Sequence, residues 1–343
     1  MINTTTLTQI FDCYPHCIEA HNYALDVISG KIPNCRNVIA ACNRQIVDLQ
    51  RDNFEYEFDP YLAEKAIKFI ELLPHTKGKG FVGKSIKLEP WQKFIFACIF
   101  GWVKPDGNRR FNEALLLMPR KNGKSIKAAA AGLYMLLEDG EPGAEVYAGA
   151  TNFKQSMEVF TPARVMCNKR PQLKQHYDVT VNASSIILAD GSKMEPVIGN
   201  PGDGASPHLW IVDEYHEHPD NRQVETAKTG MGAREQPLLL MITTAGTDIS
   251  SPCYDKFKEC ERILTGIDRD DSTERIFALM YGLDKEDSWT DPANLKKANP
   301  NYGISVREEF LINQLQAAIR KPSNQNAFKT KHLNQWVNAK VAW

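Results

Sequence analysis

Two short clusters carry the residue types that phosphate chemistry needs. The run Pro119-Arg-Lys-Asn-Gly-Lys-Ser125 ends in Gly123-Lys124-Ser125, and the run Leu209-Trp-Ile-Val-Asp-Glu214 ends in Asp213-Glu214. A lysine and a hydroxyl directly after a glycine suit an anion when they stand between a buried strand and a helix. The first N–H groups of that helix and its dipole then face the charge. In that setting Lys124 neutralises β/γ-phosphate oxygens and Ser125 holds Mg²⁺, with Pro119, Arg120, Lys121, Asn122 and Gly123 forming the turn. The flanking sequence supplies the setting. Ala114–Met118 is an almost wholly apolar run, as expected of a strand buried on both faces. From Lys124 onward, apolar residues recur at Ile126, Ala129, Ala130, Leu133 and Leu137 in an alanine-rich helical pattern. Leu209–Val212 reads as a second buried strand, and acids at the carboxyl end of a central strand suit a nucleotide site in an open α/β sheet. There Asp213 is expected to hold Mg²⁺ through water and Glu214 to polarise the water that attacks the γ-phosphate.

A second segment, Gly78-Lys-Gly-Phe-Val-Gly-Lys-Ser85, fits G-x-x-x-x-G-K-S letter for letter, whereas Met118 stands where the 119–125 segment should carry its first glycine. Context favours 119–125. The 78–85 segment follows an amphipathic helical pattern closed by Pro74, and only four residues separate Ser85 from Pro90, too few for a phosphate-holding helix. It reads as a glycine- and lysine-rich loop. Lys77, Lys79, Lys84 and Lys87 form either a solvated face or a contact for nucleic-acid phosphates.

Other candidates are less specific. Pro90 opens an apolar helix in which Trp91 and Gln92 could stack on and read an adenine; equally, Trp91 and Phe94 could be core and Gln92 a surface residue. Pro237–Ile242 is a further buried strand ending in Thr243-Thr-Ala-Gly-Thr247, whose hydroxyls and glycine (Thr243, Thr244, Gly246) could feel the γ-phosphate or form a solvent-facing turn. Arg234, on the loop before that strand, is either solvated or an arginine finger reaching a neighbouring subunit. Arg120 is the competing arginine, acting within its own chain. His208, His216 and His218 lack a cysteine or carboxylate at ligand spacing and read as surface or supporting residues, not zinc ligands.

The surrounding chain is ordinary. With 43% apolar and 24% charged residues and a net charge of −1, it is globular and has no overall basic signature, so any DNA contact must be local. The eight cysteines show no C-x-x-C pair, and the N-terminus is not a signal peptide, which points to a reduced, cytoplasmic setting without a membrane span. Helices are expected over His16–Ile28, Arg36–Leu49 and Pro60–Leu73, and a hairpin turning at Asp190-Gly191. The expected organisation is a helical N-terminal region (1–75), a P-loop core (76–252) with a central, mainly parallel sheet flanked by helices, and a small lid or linker subdomain (253–343).

The order LEPWQ, PRKNGKS, GDGASP, IVDEYHEH and ITTAGT resembles the large terminase subunit of tailed double-stranded-DNA bacteriophages, in particular the HK97-type branch. The resemblance implies a RecA-like (ASCE) ATPase that translocates double-stranded DNA into a procapsid, with ATP and Mg²⁺ as cofactors. It implies roles residue by residue. Gln92 belongs to the adenine-side motif, Arg120, Lys124 and Ser125 to the phosphate loop, and Asp213 holds the metal. Glu214 is catalytic, and Thr243, Thr244 and Gly246 form the coupling motif. Partners implied are duplex DNA, the small terminase subunit, the portal and a homo-oligomeric, pentameric ring, with a monomer in solution. Such proteins usually continue into a nuclease domain, which is not expected within a chain ending at Trp343. The alternatives are a helicase or other DNA-remodelling ATPase, or a catalytically silent DNA- or portal-docking module.

Overall fold

The computed structural model describes residues 13–199 and 204–338. Three helices open the chain, α1 (Pro15–Ile28), α2 (Arg36–Asp48) and α3 (Pro60–Leu72), followed by α4 (Pro90–Gly101). Proline at the first position of α1, α3 and α4 presets the backbone where no N–H partner is needed, and Asp59 caps α3 by accepting from Tyr61 and Leu62 N–H. The strands β1 (Glu57–Phe58) and β2 (Trp102–Val103) pair as a small antiparallel ribbon beside them. α4 is buried on nearly every side, so it is a core helix with no solvent face.

The centre is an eight-stranded sheet of β3 (Glu113–Leu117), β4 (Glu145–Ala150), β5 (Thr180–Val181), β6 (Ile186–Ile187), β7 (Lys193–Ile198), β8 (Leu209–Asp213), β9 (Leu238–Thr243) and β10 (Ile276–Met280). Its order is β10-β3-β9-β8-β4-β7-β6-β5. The six strands from β10 to β7 run parallel, and β6 and β5 close one edge antiparallel. The central strands read as unbroken apolar runs because helices cover both faces. α5 (Lys124–Leu137) packs across β4, β8 and β9, and α6 (Phe153–Asn168) across β4 and β7; two short helices, α7 (Pro171–His176) and α8 (Arg222–Gly230), follow along the chain. The expected hairpin at Asp190-Gly191 joins β6 to β7, while the segment before it is split into β5 and β6 by a turn at Asn182–Ser185.

Two hydrophobic clusters emerge. The larger joins the N-terminal helices, the sheet and α9 (Pro252–Leu264), and the smaller holds Leu295, Ala298, Val306, Leu311, Leu315, Ala318, Phe328 and Leu333. A division at 252/253 therefore does not coincide with the boundary between the cores. α9 and β10 belong to the large one, and β10 is hydrogen-bonded to β3 itself. The helical region before residue 76 also shares that core rather than forming a body of its own. α10 (Ala293–Ala298), α11 (Glu308–Arg320) and α12 (Gln325–His332) build the small unit. α12 ends at His332, and just beyond it Asn334 adopts φ 57° while its side chain accepts from Ala245 N–H and donates to Tyr281 O. Among the described residues, no helix is long and apolar enough to cross a membrane.

Candidate nucleotide site

β9 lies between the two strands that carry the chemistry. Its register pairs Thr243 with Leu117 on one side and Ile242 with Asp213 on the other, so β3, β9 and β8 end at one level. At ordinary strand spacing β3 and β8 stand about 10 Å apart. The turn after β3 and the acids ending β8 thus face each other across the carboxyl edge of the sheet. They line a cleft of about 690 Å³ with Arg120, Lys121, Gly123, Lys124, Ser125, Asp213 and Glu214 in its wall. The competing 78–85 segment is a loop tied back by His75 N–H to Lys84 O and Gly83 N–H to His75 O, with no helix behind it.

The turn is built to hold an anion. Lys121 (φ 70°) and Gly123 (φ 76°) adopt left-handed backbone conformations, and this folds the chain back so that the first N–H groups of α5, which have no partner within the helix, open into the cleft. Asn122 is fully buried. Its Nδ2 donates to Pro119 O (3.1 Å) and Asn299 Oδ1 (3.0 Å), and its Oδ1 accepts from Asn301 N–H (3.0 Å). From α5, Lys127 Nζ donates to Asn122 O (2.6 Å) while resting 4.0 Å over the Trp91 ring, and burial drives its ammonium well below the ordinary value. Lys124 Nζ donates to Met118 O (2.8 Å) and Pro119 O (3.4 Å). Burial pulls its pKa down to about 8, against the field of Glu214 and Asp213 and with that of Arg120. A buried ammonium parked on loop carbonyls is poised to turn toward an anion of higher charge.

Opposite, Asp213 is 3% exposed and pushed up to about 7 by burial and by the Glu214 carboxylate. Its Oδ1 accepts from Glu214 N–H (2.8 Å), and Glu214 itself sits at φ 48°, a left-handed position unusual for a side chain of its size. Glu214 Oε2 is buried without a hydrogen-bond partner among the described residues, as is Arg120 Nε on the other side of the cleft. A carboxylate and a guanidinium that line one cleft, each with a buried atom lacking a hydrogen bond, fit a polyphosphate carrying Mg²⁺ and the water that attacks it. Ser125 and Asp213 are the residues that would hold the metal.

Several expected residues stand elsewhere. Trp91 is 3% exposed in the core, its Nε1 donating to Asn301 Oδ1 (2.9 Å), so it stacks on no ligand. Gln92 does line a second cavity of about 420 Å³ that meets the phosphate cleft at Lys77, Gly123 and Ile126. However, its Oε1 accepts from Glu89 N–H (3.1 Å) in a capping box, so a two-pronged grip on adenine would break the helix cap. Arg234, expected either solvated or reaching a neighbouring subunit, is engaged within its own chain. It lies at the amino ends of β4 and β9, away from the cleft, and its guanidinium donates to Ser206 O, Glu141 Oε1 and Gly143 O, each at 2.8 Å. Thr243 and Thr244 are fully buried and line neither cavity; with Gly246 they lie behind Glu214, against His216. Of the histidines expected as surface or supporting residues, His208 and His218 are buried and His216 is partly buried, which leaves the supporting reading; no metal-holding group of three occurs among the described residues. Lys154, Gln155, Glu158 and Glu217 also line the cleft without having been singled out, and Lys77, expected on a solvated face or a nucleic-acid contact, lines it as well. The lysine richness of 77–87 was the one visible signal among them.

A parallel sheet whose strand–loop–helix cradle faces an acidic pair, with a further strand between them, defines a P-loop nucleoside-triphosphatase fold. The family model "Terminase large subunit, ATPase domain" matches residues 90–262, half of the chain, and the chain belongs to that family. It is 27% identical over 286 residues to the large terminase subunit of Enterobacteria phage HK97, covering 80% of this chain and 53% of that protein. It is also 51% identical over 142 residues to protein YmfN of Escherichia coli K12, covering 41% and 30% respectively. The crystal structure of the HK97 large terminase superposes with a TM-score of 0.68 at 26% identity over 80% of this chain and 55% of that one. The chain thus spans about half the length of the phage relative it matches.

Proposed function

We propose that this chain hydrolyses ATP as the motor domain of viral DNA packaging, coupling hydrolysis to the movement of double-stranded DNA. The observation that supports this is the convergence of the 119–125 turn and the Asp213/Glu214 pair on a single cleft. Lys124 Nζ leaves the carbonyls of Met118 and Pro119 for the β/γ-phosphate oxygens, and the N–H groups opening α5 orient the same phosphates. Ser125 and Asp213 would hold Mg²⁺, which would supply neutralisation of the phosphate charge when bound. Glu214 accepts, at a carboxylate oxygen, the proton of the attacking water. Arg120, with its free Nε at the cleft wall, steadies the charge that develops on the transferred group. The nucleoside occupies the adjoining cavity, where Gln92 Nε2 is the group left to meet a base. Duplex DNA, a small terminase subunit, the portal and further copies of the chain in a ring are the partners this reading assigns, with action in the host cytoplasm.

The test is ATP turnover with and without duplex DNA, wild type beside Glu214→Ala. DNA-stimulated hydrolysis that falls at least ~100-fold in the variant is expected. Equal turnover in the two proteins would refute the assignment of Glu214. Absence of turnover in the wild type under every condition would refute the ATPase reading.

A further inference from the structure

His216 joins two parts of the site that the strands themselves keep apart. The left-handed turn at Glu214 sends the chain into a 3₁₀ turn, Tyr215–Glu217, and swings His216 under β9. There the His216 N–H donates to Thr243 Oγ1 (3.0 Å), and the ring Nδ1 lies 3.0 Å from the same oxygen. The Thr243 hydroxyl spends its one hydrogen on Thr244 O (3.0 Å). Its oxygen is therefore an acceptor for both nitrogens, which puts the ring hydrogen on Nδ1. That nitrogen is also 3.3 Å from Glu214 Oε2, the buried carboxylate oxygen with no hydrogen bond. Gly246 lets its segment run close beside the ring. A Cβ at Gly246 would stand 3.3 Å from His216 Cβ and 3.1 Å from the Trp336 ring.

We propose that His216 is the positioning residue for Glu214: its Nδ1–H, shared between Thr243 and the Glu214 carboxylate, sets where that carboxylate points and ties it to the 243–246 segment. The histidine is not among the residues lining the cleft. It acts through Glu214 by holding one oxygen so that the other faces the attacking water. The 243–246 segment continues outward, since Ala245 N–H donates to Asn334 Oδ1 (2.7 Å), so displacement of that segment reaches Glu214 through one ring nitrogen.

This inference rests on the ATPase reading, and the test separates the two. Single-turnover ATP hydrolysis and nucleotide affinity are measured for His216→Ala, His216→Gln and His216→Asn, with Glu214→Ala alongside. Asparagine places an N–H₂ near the position of Nδ1, whereas glutamine places its amide near that of Nε2. We expect about 10- to 100-fold slower hydrolysis in His216→Ala and His216→Gln, with affinity within about twofold and much of the rate recovered in His216→Asn. Thr243→Val should slow the wild type and add little to His216→Ala. Wild-type rates in both His216→Ala and His216→Gln would overturn the proposal. So would equal losses in asparagine and glutamine variants that both remain folded by circular dichroism. If Glu214→Ala itself retains full turnover, the ATPase assignment of Glu214 fails instead.

Discussion

Replacing Asn122 by alanine tests whether the phosphate loop is held from within or braced from outside. The side chain is fully buried and makes three bonds of 3.0–3.1 Å, to Pro119 O, Asn299 Oδ1 and Asn301 N–H. At about 1 kcal/mol net per bond their loss costs about 3 kcal/mol, and stranding the buried Asn301 N–H raises this to roughly 4–5 kcal/mol. Lys127 Nζ still holds the Asn122 carbonyl, so the turn keeps one internal restraint while its tie to the small C-terminal unit is cut. Guanidinium unfolding should show the lower midpoint. Fluorescence titration with an ATP analogue should show affinity weakened at least about tenfold, since about 1.4 kcal/mol of loop reordering is enough for that factor. Asn122→Asp keeps the acceptor for Asn301 but sets lone pairs against Pro119 O and Asn299 Oδ1, and should be no better than alanine. A midpoint and an affinity both unchanged in Asn122→Ala would refute the idea that the loop's shape depends on the C-terminal unit.

Three further outcomes are expected. Gly123→Ala places a Cβ at φ 76°, 3.4 Å from Lys127 Nζ, and should cost about 1–2 kcal/mol in thermal or chemical unfolding along with nucleotide affinity; a neutral result would show that the turn tolerates another backbone conformation. In metal-free buffer Asp213→Asn should stabilise the protein. Because the folded carboxyl titrates near 7 rather than 3.8, its ionisation penalises the folded state, fully above pH 7 and progressively less down to pH 3.8. The gain should thus reach at most about 4 kcal/mol at pH 8 and vanish near pH 4, and a gain independent of pH would contradict the buried-acid explanation. Arg234→Ala should lower stability by about 2–3 kcal/mol through three lost bonds at the amino ends of the strands. Its ATP turnover per folded molecule should be unaltered, alone or mixed with Glu214→Ala protein. A specific loss of turnover would restore it as a finger.

The parts of the site legible in sequence were those built from contiguous residues. β3, β8 and β9 are runs of apolar residues because parallel strands are covered on both faces, and each stops where polar chemistry begins, at Pro119, Asp213 and Thr243. Proline starts and three-to-four spacing placed α1 to α3 within a residue or two. What could not be read is what pairs across distance. Asn122 meets Asn299 and Asn301 some 177–179 residues away, β10 joins β3 from the far end of the chain, and Arg234 finds its acceptors at 141–143 and 206. No local pattern announces such partners. One signal was available and outweighed: Glu89-Pro-Trp-Gln92 has a capping-box spacing, which assigns the Gln92 carbonyl to its own helix before any base arrives.

The same long-range pairs suggest why the site is wired as it is. The C-terminal stretch grips both walls of the cleft. On the lysine side Asn299 and Asn301 hold Asn122, Ser305 Oγ donates to Lys121 O (2.7 Å), and Lys331 O accepts from Arg120 N–H (2.9 Å). On the acid side Asn334 holds Ala245, whose segment carries Thr243 and hence His216 and Glu214. Rigid strands fix how far apart the two walls stand, but these bonds fix how each wall is turned. A phosphate that pulls Lys124 off its carbonyls perturbs the first set, and a change in the Glu214 carboxylate perturbs the second. Both sets end within residues 299–334, so a shift of that whole stretch as one body would act on both walls. Mechanical coupling of nucleotide state to a moving part of the molecule therefore needs no contact between that part and the nucleotide, only the loss or gain of a few buried hydrogen bonds worth about 1 kcal/mol each.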